Sequence, residues 1–90
     1  MYRIFVTNEF HKSLDKLPKS GRLSIEKKIK EYAVLQLKEE PHFGLNIKKL
    51  RNYNPETWRY RIGKYRLFYS IDEETKTISL LTIDHRKDAY

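Results

Sequence analysis

The chain has 90 residues, and nineteen Lys and Arg against twelve Asp and Glu give it a formal charge of +7. That size leaves room for one sheet covered on one side, and the charge favours an acidic partner, nucleic acid before an acidic protein or a membrane surface. The absence of cysteine excludes disulfides and thiolate metal sites. No apolar run approaches the roughly eighteen residues of a membrane-spanning helix, and MYRIFVTNEF has no signal-peptide pattern. A single cytoplasmic domain over residues 1–90 is the expectation.

Tyr2 to Val6 is a β-prone run and reads as the first strand. Thr7 or Asn8 can cap a helix in which Phe10, Leu14 and Leu17 make one apolar stripe, and Pro18 ends it. Ser20 can cap a second helix running to about Lys38, with Ile25, Ile29, Tyr32 and Ala33 as its buried stripe. Lys27, Lys28, Lys30 and Lys38 lie mostly off that stripe, as a solvated face or a basic surface for RNA phosphates. Pro41 to Pro55 reads as an irregular connection in which Ile47 and Leu50 tether Lys48, Lys49 and Arg51.

Trp58 to Tyr69, WRYRIGKYRLFY, alternates apolar and polar residues around Gly63-Lys64. Glycine first in a two-residue loop suits a type II′ hairpin, where that residue takes positive φ. The loop predicts that Ile62 faces Tyr65, Arg61 faces Arg66 and Trp58 faces Tyr69. One face then carries Trp58, Tyr60, Ile62, Tyr65, Leu67 and Tyr69, and the other Arg59, Arg61, Arg66 and Phe68. Like charges opposed across strands cost up to about 1 kcal/mol per pair. Clustered guanidinium groups on a rigid platform grip phosphate, so the second face is a candidate RNA surface.

Asp72 to Lys76 reads as a turn and Thr77 to Asp84 as the last strand. In the simplest register Phe68 faces Leu81, Arg66 faces Ile83, and His85 joins the arginine face. The predicted fold is α+β, in the order βααβββ, with two helices packed on one face of a mainly antiparallel four-stranded sheet. His85 is the residue best able to move a proton near neutral pH. The three histidines lack metal-ligand spacing, so neither metal nor cofactor is predicted. Arginines with a histidine and a tyrosine suit RNA cleavage by 2′-hydroxyl attack on the adjacent phosphate, since the substrate brings its own nucleophile.

WRYRIGKYRLFYSID, ISLLTID and the ending HRKDAY together resemble the RelE/ParE toxin superfamily, in particular its RelE branch, over the full chain. The resemblance implies the RelE-like fold and a type II toxin that cuts messenger RNA codons in the ribosomal A site. It also implies a RelB-like antitoxin whose acidic segment wraps the toxin. By position, Arg66 is implied at the scissile phosphate, Arg59 and Arg61 in RNA positioning and transition-state charge, and His85 and Arg86 beside them. Tyr90 matches a C-terminal tyrosine that stacks on a base or orients the nucleophile, and Lys48, Lys49, Arg51 and Lys64 are implied RNA contacts. The sequence departs from some relatives at Asn46-Ile47-Lys48, where they carry a glutamate general base. A ParE-like toxin that binds DNA gyrase, and an RNA-binding member without catalysis, are the alternatives.

Overall fold

The structure, a computed structural model, describes residues 1–85. Strand β1 (Arg3–Val6) leads into helix α1 (Asn8–Asp15), and a second helical rod follows. That rod consists of α2 (Lys19–Lys28), a π-helical stretch Ile29–Ala33 and α3 (Val34–Glu39). Strands β2 (Ile47–Lys49), β3 (Trp58–Ile62), β4 (Tyr65–Asp72) and β5 (Thr77–His85) complete the described chain.

The α+β architecture is the predicted one, but the sheet has five strands in the order β1-β5-β4-β3-β2. The additional strand is β2, in the stretch expected to be irregular, pairing Ile47 with Tyr60, Lys48 with Arg59 and Lys49 with Trp58. The sheet is mixed because β1 runs parallel to β5, pairing Ile4 with Ile78 and Val6 with Leu80. Beyond Val6, helix α1 takes over that margin of β5. Thr7 Oγ1 accepts from Phe10 N at 3.1 Å, capping α1, and donates to Leu80 O at 2.7 Å. Six residues on, Ser13 Oγ accepts the Ile83 N–H at 2.9 Å. Side-chain oxygens thus do for β5 what a neighbouring strand would otherwise do.

The core lies between the helices and one sheet face. Ile25, Ile29, Ala33 and Leu37 on the rod and Phe10 on α1 pack against Trp58, Tyr60, Ile62, Leu67, Tyr69, Ile78, Leu80 and Ile83. Burying an aliphatic side chain of this kind contributes about 1.5–3 kcal/mol. Tyr69 is fully buried, and its hydroxyl donates to Pro41 O at 2.7 Å, tying the end of the rod to the sheet. Burial pushes that phenol well above its ordinary pKa.

The spacing of the rod's stripe explains its π stretch. Four residues of α-helix turn through about 400°, so a stripe repeating every four residues drifts by roughly 40° at each step. A wider turn at Ile29–Ala33 absorbs that drift and keeps Ile25, Ile29, Ala33 and Leu37 on the core side. It also places Tyr32 outside, 62 % exposed, and so corrects the expectation of a buried Tyr32. Ser20 does not cap the rod, which starts at Lys19 after Pro18.

Candidate nucleic-acid interface

Strands β3 and β4 pair in the predicted register, from Ile62 with Tyr65 to Trp58 with Tyr69. Gly63 has φ 57°, the left-handed conformation the loop needs. Arg61 and Arg66 are direct partners, and Lys48 of β2 is the partner of Arg59. Cross-strand partners project to the same side of a sheet, so Lys48, Arg59, Arg61 and Arg66 share the face away from the helices. Phe68 lies among them, half-buried.

Arg66 is the most enclosed of the four, at 5 % exposure. Its Nη1 donates to Gly63 O at 3.0 Å and Tyr65 O at 2.9 Å, so its guanidinium is aimed toward the hairpin tip. Two carbonyl acceptors fix the orientation of the fork. Arg61 and Lys48 are exposed. The arrangement is one oriented guanidinium beside exposed cations on a stiff three-stranded platform, the layout suited to binding and polarising a phosphate.

The register of β5 differs from expectation. The β4–β5 ladder shifts between Phe68 and Tyr69, which pair with Thr82 and Leu80, leaving Leu81 as an extra residue in β5. Beyond it the parity inverts. Leu67 pairs with Ile83, which is buried in the core, Arg66 pairs with Asp84, and Tyr65 pairs with His85. Ile83 and His85 therefore leave the arginine face, and Thr82 and Asp84 join it. The His85 ring meets the Tyr65 ring edge-on at 5.5 Å between centroids. With Lys12, Lys16, Glu9 and Asp84 these two rings line a hollow of about 600 Å³ against α1.

The remaining predicted residues are spread out. Lys64 is exposed at the hairpin tip, beside Gly21 and Ser24 of α2. Lys49 pairs with Glu56 at 2.9 Å, with its Nζ 5.9 Å from the Trp58 ring centroid. Arg51 lies in the turn after β2 and lines a separate hollow with Asn52, Tyr53 and Glu56. Arg86 and Tyr90 lie outside the described residues. Among the described residues no group of His, Asp and Glu is placed to hold a metal ion, and no helix is long and apolar enough to cross a membrane.

Two features escaped the sequence reading. Asp84 joins the arginine face through the extra residue in β5, for which the sequence carries no distinct signal. Tyr32, with Lys28, borders Arg61 and Arg66 at the margin of the sheet. The strict four-residue spacing of Ile25, Ile29, Ala33 and Leu37 was the available signal for its outward turn.

Residues 4–90 match the family described as the ParE toxin of the type II toxin–antitoxin system parDE. Toxin RelG of Mycobacterium tuberculosis is 37 % identical over 90 residues, 99 % of this chain and 95 % of the relative. The toxin–antitoxin complex RelBE2 of Mycobacterium tuberculosis contains a chain of similar structure, with TM-score 0.72 and 33 % identity over 94 % of this chain and 98 % of that one. The RelB–RelE antitoxin–toxin complex of Methanococcus jannaschii gives TM-score 0.66 and 28 % identity over 96 % and 94 %. With its five-stranded sheet, its two helical segments and its arginine-bearing hairpin, the chain belongs to the RelE/ParE superfamily of type II toxin–antitoxin toxins.

Proposed function

We propose that residues 1–90 form one toxin domain that acts in the cytoplasm as a metal-independent, ribosome-dependent endoribonuclease. It cuts messenger RNA codons in the A site by attack of the 2′-hydroxyl on the adjacent phosphate. The observation that carries this reading is Arg66, held by two hairpin carbonyls directly across from Arg61. Arg66 takes the scissile phosphate, Arg61 the growing transition-state charge, and Arg59 with Lys48 positions the strand. Arg66 is a pre-set donor that needs no reorganisation as charge develops. Lys64, Lys49 and Arg51 contribute outlying contacts to the message or the ribosome, and Arg86 and Tyr90 enter on family resemblance.

His85 enters from the other side of the sheet. Paired with Tyr65, it can pass a proton only to a substrate that rounds the end of β5. Charge stabilisation and orientation therefore carry more of the catalysis than a strong base, and free RNA is a poor substrate unless the ribosome orients it. The partner that silences the chain is a RelB-like antitoxin, as in the complexes of its relatives, whose acidic segment covers the basic face.

The test is in vitro translation with the purified chain, followed by primer extension on the message. Cuts within A-site codons are expected, reduced at least about 100-fold in Arg66→Ala, the scale on which loss of one charge-stabilising donor acts. An intact message with translation unimpaired would overturn the reading. The matching family is described by its ParE toxin, so gyrase binding is the second reading. It predicts inhibition of supercoiling that does not depend on Arg66.

A further inference from the structure

Strand β2 begins at Ile47, opposite Tyr60, and β3 runs on past it as the margin of the sheet. Arg61 N there donates to Asn46 O at 2.9 Å. Around this margin lies a notch of about 490 Å³ lined by Lys28 and Tyr32 from the helical rod, Asn46, and Arg61, Gly63 and Arg66 from the hairpin. It joins the arginine face to the helix side of the molecule, because Arg61 and Arg66 belong to both. Its lining contains no carboxylate. Among the described residues, neither Lys28 nor Arg61 has an acidic group within ion-pair distance.

The chemistry of the lining narrows the ligand. Lys28 and the arginines offer donors to an anion, while the 62 % exposed Tyr32 offers a flat ring beside them. A cation-rich groove with an aromatic platform is how proteins hold single-stranded nucleic acid, phosphate on the charges and base on the ring. The hollow beneath His85 lacks this character, since Glu9 and Asp84 line it. The π stretch bears on the same point, because it turns Tyr32 out of the core and toward the notch.

We propose that this notch is a nucleotide subsite, in which the base of an RNA nucleotide flanking the scissile phosphate stacks on Tyr32 and its phosphate sits between Lys28 and Arg61. The subsite rests on the proposed RNA path across the arginine face and deepens it, but its test needs no cleavage. The full chain is titrated with a 2′-O-methyl RNA hexamer, which lacks the attacking hydroxyl, and the Tyr32 ring resonances are followed by NMR. Tyr32→Ala should weaken binding about tenfold and Tyr32→Phe should preserve it, because stacking uses the ring face. Lys28→Gln should lower the slope of log affinity against log salt by about 0.7, the share of one phosphate contact on a single strand. Both side chains are exposed, and a thermal melt of each variant checks that the fold is retained.

Equal affinity in Tyr32→Ala, or no hexamer binding by the unaltered chain, overturns the subsite. So does hexaglutamate that binds with the same dependence on Tyr32, since the notch would then read charge alone. Hexamer binding through Tyr32 by a chain that leaves messages uncut on the ribosome keeps the subsite and sinks the nuclease. Messages cut by a chain whose hexamer affinity ignores Tyr32 do the reverse.

Discussion

Arg66 and Asp84 are direct partners across β4 and β5, so the most enclosed arginine of the basic face has a carboxylate opposite its own backbone position. The face is therefore less uniformly positive than its arginines alone make it. Asp84→Ala should lower stability by up to about 1 kcal/mol, the scale of an opposite-charge cross-strand pair. The same variant should bind RNA more tightly, because one repulsive charge is gone. Urea unfolding and an RNA titration at fixed salt check the two outcomes, and unchanged RNA affinity would place Asp84 outside the binding surface.

Arg66 has a structural role alongside its proposed chemical one. Replacing it by Ala removes two hydrogen bonds to the hairpin carbonyls and should cost about 1–3 kcal/mol. Arg66→Lys separates the roles, since it keeps a charge and a donor but loses the planar fork. It should unfold closer to the unaltered chain than Arg66→Ala does, while A-site cleavage still falls by tenfold or more. Full cleavage in Arg66→Lys would show that charge alone suffices.

Ser13 accepts the Ile83 N–H where β1 no longer reaches β5. Ser13→Ala leaves that amide without its acceptor beside the core, at a cost of about 1–3 kcal/mol. Chemical denaturation gives the total, and native-state hydrogen exchange should show Ile83 exchanging faster than its neighbours in β5. An unchanged Ile83 exchange rate would mean that another group satisfies it.

Glu40 supplies the pH dependence that can be signed. Its Oε2 accepts the backbone N–H of His42 at 2.7 Å and that of Phe43 at 3.3 Å, and it lies 3.1 Å from His42 Nδ1. The hydrogen bond from the His42 backbone is the leading cause holding its carboxyl below the ordinary value. A carboxylate depressed in the folded state adds stability that is present above the unfolded pKa and is lost as pH falls through the folded one. Glu40→Gln should therefore melt below the unaltered chain near neutral pH, with the gap closing as pH falls below the ordinary carboxylate range. A gap that persists into acid would point to lost packing instead.

The hairpin was legible because glycine at the first loop position leaves one simple pairing, and that pairing places every residue from Trp58 to Tyr69. The arginine face followed from it. The extra residue in β5 was not legible, because Leu80 and Leu81 are adjacent and apolar, so the alternation can be carried forward in either phase. His85 and Ile83 were placed on the wrong face for that reason. Strand β2 has three residues, too few to display a period, and its pairing with β3 is long-range. Tyr32 next to Ala33 fitted the apolar stripe of an ordinary helix, and only the wider π turn sends one of the pair outward.

Leu81 gives β5 two phases of alternation, one before it and one after. The chemistry presented at the far end of the strand is thus set by its pairing with β4 rather than by alternation carried forward from Thr77. Deleting Leu81 would close the bulge and keep the pairs Phe68–Thr82, Leu67–Ile83 and Arg66–Asp84, with every remaining side chain on its present face. In this toxin a frame-preserving loss of that one codon should therefore leave the carboxylate opposite Arg66 and relax the local bend and twist of β5 instead.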